Sequence, residues 1–127
     1  MKITLQTKSS DDLGPIANAG EHYAKTLERL IYLQNKSAQH VHKSILDEFR
    51  YSLLKKLINP NKPKAPKIKM ELHTAFVLKD AFQNYSQSLN EEKYVREAAQ
   101  LRRLTMELYS LLPRTEDQEE FSLNSKI

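Results

Sequence analysis

The sequence predicts a mainly α protein: a four-helix antiparallel bundle of two helical hairpins joined by a Pro/Lys-rich link. A small two-stranded β ribbon from residues 2–6 and 67–72 is the variant of that fold. Three observations lead there. Four stretches carry apolar residues at spacings of three, four and seven, the period of an amphipathic helix. Asn59 to Lys69, N-P-N-K-P-K-A-P-K-I-K, holds three of the five prolines, and proline fixes φ and removes a backbone donor, so no helix passes through it. Only two glycines, Gly14 and Gly20, and no tryptophan occur in 127 residues, a composition that favours helices over a turn-rich β fold.

Residues 2–6, K-I-T-L-Q, alternate apolar Ile3 and Leu5 with polar neighbours, which suits a short strand or an ordered arm. Ser9, Ser10, Asp11 and Asp12 then form a turn-prone cluster ahead of Gly14-Pro15. An upstream Asp can cap and proline suits a first turn, so a helix begins near Leu13 to Ile16. It runs to about Gln34 with Ile16, Tyr23, Leu27, Leu30 and Ile31 on one stripe. Asn35-Lys36-Ser37 prefer turns and caps and predict a break, the alternative being one unbroken helix from Pro15 to Ile58, about 66 Å long. The second helix, about Ala38 to Ile58, carries Val41, Ile45, Phe49, Leu53 and Leu57, with Leu46, Leu54 and Ile58 widening the face. So wide a face needs more than one neighbour. Asn59-Pro60 ends it.

Beyond the link, K-I-K-M-E-L echoes the N-terminal K-I-T-L-Q, so the two segments pair as a ribbon, or mark a diverged duplication of a strand followed by two helices that too few residues support, or the second simply enters the next helix. A ribbon of two strands needs a helical layer beneath it. The third helix, about Thr74 to Leu89, has Ala75, Leu78, Phe82, Tyr85 and Leu89 in line, with Thr74 as N-cap and Leu72 as staple. Asn90-Glu91-Glu92 is a turn, and a fourth helix from about Glu91 carries Tyr94, Val95, Ala98, Leu101, Leu104, Leu108, Leu111 and Leu112 up to Pro113. Arg96 and Arg103 fall on its outer side, each four residues from an acid, Glu92 and Glu107. The chain thus reads as a single helical domain, 1–113, with halves 1–58 and 68–113 and link 59–67, followed by a mobile acidic tail, 114–127.

Without cysteine, disulfide scaffolds, thiolate zinc sites and cysteine nucleophiles are excluded. No signal-like N-terminus or membrane span is read, so a cytoplasmic protein with no membrane partner is expected. His40 and His42 stand two apart, which on a helix turns them to opposite sides, and no H-E-x-x-H or E-x-x-H occurs, so no metal or cofactor is expected. Adjacent carboxylates such as Asp11-Asp12 and Glu91-Glu92 suit capping or solvated faces, and neither a phosphate-cradling glycine pattern nor a G-x-S-x-G elbow is present.

Two functions compete, with an enzyme a third that has no candidate residues. The first is a non-catalytic helical interaction module, a homo-oligomer or a protein with a protein partner, using the surplus apolar residues Leu46, Leu54, Ile58, Leu104 and Leu111 as its interface. The alternative is a small nucleic-acid-binding accessory protein using the basic region 43–69. Net charge is +4, and between Lys43 and Lys69 eight basic residues face two acidic ones. Its contact residues are Arg50, Lys55, Lys56, Lys62, Lys64, Lys67 and Lys69, with Tyr51 a stacking face beside Arg50. Lysines at a helix C-terminus also serve the helix dipole, and lysine-rich loops aid solubility.

Overall fold

Two segments with the same alternation find each other across the chain. In the structure, a computed structural model that describes residues 1–113, β1 (Lys2–Gln6) pairs antiparallel with β2 (Lys67–Glu71). The acidic tail read above, 114–127, lies outside the described residues. Ile3 stands opposite Met70 and Leu5 opposite Ile68, and all four side chains are buried. Lys2, Gln6, Lys67, Lys69 and Glu71 alternate with them on the outer face. The ribbon ends one residue earlier than expected, because Leu72 already belongs to a helix and donates its N–H to the Met1 carbonyl at 3.2 Å.

Each strand leads into two helices. A 3₁₀ turn at Ser10–Asp12, whose Asp11 N–H donates to the Ser9 hydroxyl at 3.1 Å, delivers the chain into α1 (Leu13–Gln34). α1 closes at Asn35, which takes the left-handed conformation (φ 51°, ψ 51°) and donates its N–H to the Ile31 carbonyl. Asparagine tolerates that conformation better than most residues, so the predicted break is real and the single long helix is excluded. α2 (Ser37–Ile58) starts with the Gln39 side chain accepting the Lys36 N–H at 3.0 Å, and it stops before Pro60.

In the second half, α3 (Leu72–Ser88) follows β2 without a loop. Thr74 therefore lies inside the first turn and is not the N-cap; the pairing of Leu72 with Met1 occupies the first amide. α4 (Val95–Leu111) begins four residues later than the sequence suggests. The Asn90 side chain accepts the N–H groups of Glu92 and Lys93 and holds 91–93 as a turn.

The four-helix fold with its ribbon is assembled around α1 and α3. α1 packs against both its hairpin partner α2 and α3, while α4 packs on α3 and on β1. Within the hairpins the partners run antiparallel: Glu28 meets Lys43 and Gly20 meets Arg50 in the first, and Tyr85 meets Glu97 and Gln83 meets Tyr109 in the second. The main core gathers Ile3, Leu5, Ile68 and Met70 of the ribbon with Phe82 and the leucines of α4. A smaller cluster of Ala24, Leu27, Leu46 and Val77 joins α1, α2 and α3 beyond it.

Candidate functional site

The surplus apolar residues do not form one surface. Leu46 and Leu104, expected at an interface, are 1% and 0% exposed, because Leu46 fills the α1–α2–α3 cluster and Leu104 the main core. Leu111 is half-buried against that core. Leu54 and Ile58 are different: they are 53% and 71% exposed, and Tyr51, 63% exposed, joins them at a spacing of three and seven. At about 100° per residue these three occupy an arc beside the buried face of Leu46, Phe49 and Leu53, with Leu54 at its near edge and exposed Asp47 among them. The apolar surface of α2 therefore extends past the face that its own fold covers. Beside the uncovered stripe runs a groove of about 310 Å³ between α1 and α2, bordered by Ala17, Glu21, Arg50, Leu54 and Leu57.

The basic residues divide as well. The stem of Arg50 crosses α1 at Gly20, where an added Cβ would sit 3.3 Å from its Cγ, and its guanidinium reaches Asp47 at 3.9 Å. Lys43 is engaged by Asp47 at 2.8 Å and Glu28 at 3.8 Å. Lys55 lies over the Tyr51 ring, 4.6 Å from its centroid. Lys62 and Lys64 are exposed in the link, and Lys67 and Lys69 stand on the outer face of β2 opposite Gln6 and Thr4, next to Lys2. The structure thus sets Lys67 and Lys69 with Lys2 on one face of the ribbon, leaves Lys62 and Lys64 exposed in the link, and turns Arg50 away onto α1. Lys56 stands with Lys69 at a cleft of about 170 Å³ between α2 and β2, over Phe49, Leu53, Ile68 and Met70.

The strongest polar site was hidden from the sequence. Asp12, 1% exposed, does not cap α1; its carboxylate accepts from the Lys8 N–H at 2.9 Å, Gln100 at 3.2 Å and Arg103 at 2.6 Å. Burial pushes this carboxyl up, but the hydrogen bonds from Arg103 and Lys8 and the guanidinium charge outweigh it and hold it below the usual carboxylate range. Arg96 likewise pairs with Asp11 at 3.0 Å. Arg96 and Arg103, read as outward helix-surface residues, are the arginines that tie α4 to the turn after β1. The signal lay in residues about ninety apart, beyond any local pattern.

A second network joins α1 to α3. His22 Nδ1 lies 2.8 Å from Asn84 Oδ1, and Ser88 Oγ lies 2.9 Å from His22 Nε2, the hydrogen-bond order of a serine nucleophile with its base and orienting amide. The location opposes that chemistry. Ser88 closes the C-terminal turn of α3, its hydroxyl also within reach of the Tyr85 and Asn84 carbonyls, and a helix C-terminus presents negative dipole where an oxyanion would form. The network serves as a clamp between helices. A third cluster places Tyr23 on His42 at 3.0 Å, with His42 4.0 Å from Asp80. Burial and the Asp80 charge push the Tyr23 hydroxyl up to about 12, and burial raises Asp80 against the opposing charges of Lys79 and His42. Burial and Glu97 together push Tyr85 up to about 12. Among the described residues no three His, Asp or Glu side chains converge to hold a metal ion.

No family model, curated protein or solved structure matches this chain. Function is therefore read from geometry alone. No helix among the described residues is long and apolar enough to cross a membrane.

Proposed function

We propose that the protein is a non-catalytic helical interaction module of the cytoplasm that docks another protein surface through the outer face of α2. One observation carries this reading: beyond the face with Leu46, Phe49 and Leu53 that α1 and α3 cover, α2 leaves Tyr51, Leu54 and Ile58 exposed. Adjoining large apolar residues left exposed on one helix mark a contact surface, so the stripe of Tyr51, Leu54 and Ile58 calls for a further neighbour. The test is a photo-crosslinking amino acid placed at Ile58, and separately at exposed Ala99 on α4, in the full chain expressed in its own cells. Discrete adducts at position 58 and none at 99 are expected. Equal or absent crosslinking at both positions overturns the reading.

A second reading has its own observation. Lys67 and Lys69 on β2 and Lys2 on β1 share the ribbon's outer face, continuous in sequence with Lys62 and Lys64, and of these five only Lys2 has an ion-pair partner among the described residues, Glu71 at 3.9 Å. Such a surface neutralises phosphates without reading sequence. Labelled DNA and RNA should then bind with affinity that falls steeply with salt, and substituting Lys62, Lys64, Lys67 and Lys69 with Ala should abolish the binding. Unchanged binding by that variant removes nucleic acid from consideration.

A further inference from the structure

We propose that the surface docked on α2 is a second copy of this chain, the two α2 helices lying antiparallel across a two-fold axis next to Tyr51; this rests on the docking reading above. Ser44, Asp47, Tyr51, Leu54 and Ile58 follow one another at spacings of three and four, the seam along which two helices pack knobs into holes. All five are exposed, Tyr51, Leu54 and Ile58 are the apolar members of that seam, and a groove of about 310 Å³ runs beside Leu54. A tyrosine from another copy, rigid and amphipathic, is the kind of anchor that fills such a groove.

Charge selects the orientation. Glu48 and Lys55 stand seven residues apart, two helical turns, on the same flank of the seam. Among the described residues the ion pairs of α2 engage His42, Lys43, Asp47 and Arg50, and none includes Glu48 or Lys55. An isologous contact must be complementary to itself under its two-fold axis. An axis between Tyr51 and Ser52 sets Glu48 of each copy against Lys55 of the other, so both ends of the contact are paired. A parallel arrangement brings equal residues to the same level but on opposite flanks of the seam, so neither charge meets a partner. Acid on one side of an apolar centre and base on the other is thus the pattern an antiparallel copy completes.

The experiment is sedimentation velocity of the full chain over a hundredfold concentration range. The wild-type protein should shift from monomer to dimer. Glu48→Lys and Lys55→Glu should each weaken the dimer about tenfold by placing like charges at both ends. An equimolar mixture of the two variants should regain wild-type association, because each then presents the charge the other lacks. Tyr51→Lys should be monomeric with an unchanged far-ultraviolet circular dichroism spectrum. A wild type that stays monomeric, charge variants that dimerise like wild type, or a mixture that regains nothing each overturns the proposal. The two readings fail separately: a monomeric wild type whose position 58 still crosslinks to another protein removes only the second copy, and the absence of any adduct there removes both.

Discussion

In the second half of the chain α4 folds back onto β1, burying Leu104, Leu108 and Leu112 in the main core and fastening Arg103 to the buried Asp12. In the first half the corresponding helix, α2, stands off from β2 and leaves a cleft between them, while its far side carries Tyr51, Leu54 and Ile58 in the open. The element order is the same in both halves, a strand followed by two helices. What differs is where the polar and apolar groups are satisfied: internally around α4, and around α2 only in part. The closed half buries its apolar and charged groups within the fold, and the open half leaves an apolar stripe exposed.

The sharpest way to break this contrast is to unfasten the closed half. Arg103→Met leaves Asp12 buried with an uncompensated charge and should cost about 4 kcal/mol by urea denaturation at neutral pH. The pH dependence follows from the sign of the shift. The Asp12 carboxyl titrates lower in the folded chain than unfolded, so its contribution is present above the ordinary carboxylate value of 3.8 and is lost as pH falls through the depressed one. The gap between wild type and Arg103→Met should therefore close in acid. A constant gap would mean that Asp12 is not held as an anion.

Leucine truncations sharpen the same comparison. Leu104→Ala and Leu46→Ala should each cost about 3 kcal/mol, since both fill well-packed core. Leu54→Ala should stay within about 0.5 kcal/mol while weakening association. A Leu54 substitution that unfolds the protein would show that the stripe belongs to the fold and offers no docking surface. The hairpin turn of the open half depends on one residue: Asn35→Val should cost about 1–2 kcal/mol, because a β-branched side chain resists the left-handed conformation, whereas Asn35→Gly should be nearly neutral.

The smallest expected effect is at Asp80, between α2 and α3. Its carboxyl titrates higher in the folded chain, so wild-type stability falls as pH rises from 3.8 through that raised value. Asp80→Asn should lack this fall and gain slightly on wild type in melting temperature towards neutral pH. The gain is small because the side chain is 37% exposed and lies near Lys79 and His42. A loss at neutral pH would show that the His42–Asp80 contact outweighs burial.

The helices and the break at Asn35 were legible because each is a local pattern read within a few residues, whereas the alternation of K-I-T-L-Q and K-I-K-M-E left a ribbon and a helix entry both open, and only their pairing decides between them. The start of α4 was misplaced because Asn90 uses its side chain to hold a turn, where the acids after it suggested a first helical turn. Arg103 had a helical acid four residues away at Glu107, yet it turns to Asp12: a buried carboxylate loses far more by going unpaired than a solvated one gains by pairing.

By itself the sequence determined four amphipathic helices and a link that no helix crosses, since periodicity and proline act within one or two turns of chain, while the pairing of the two alternating segments came from the tertiary structure. Only the tertiary structure decided that Leu46 and Leu104 are core, that Leu54 and Ile58 are surface, and that Arg50 turns from the lysines onto α1. Periodicity records that a face is apolar, but what covers it is set by the length and packing of other elements. On α2 those elements cover one face and stop.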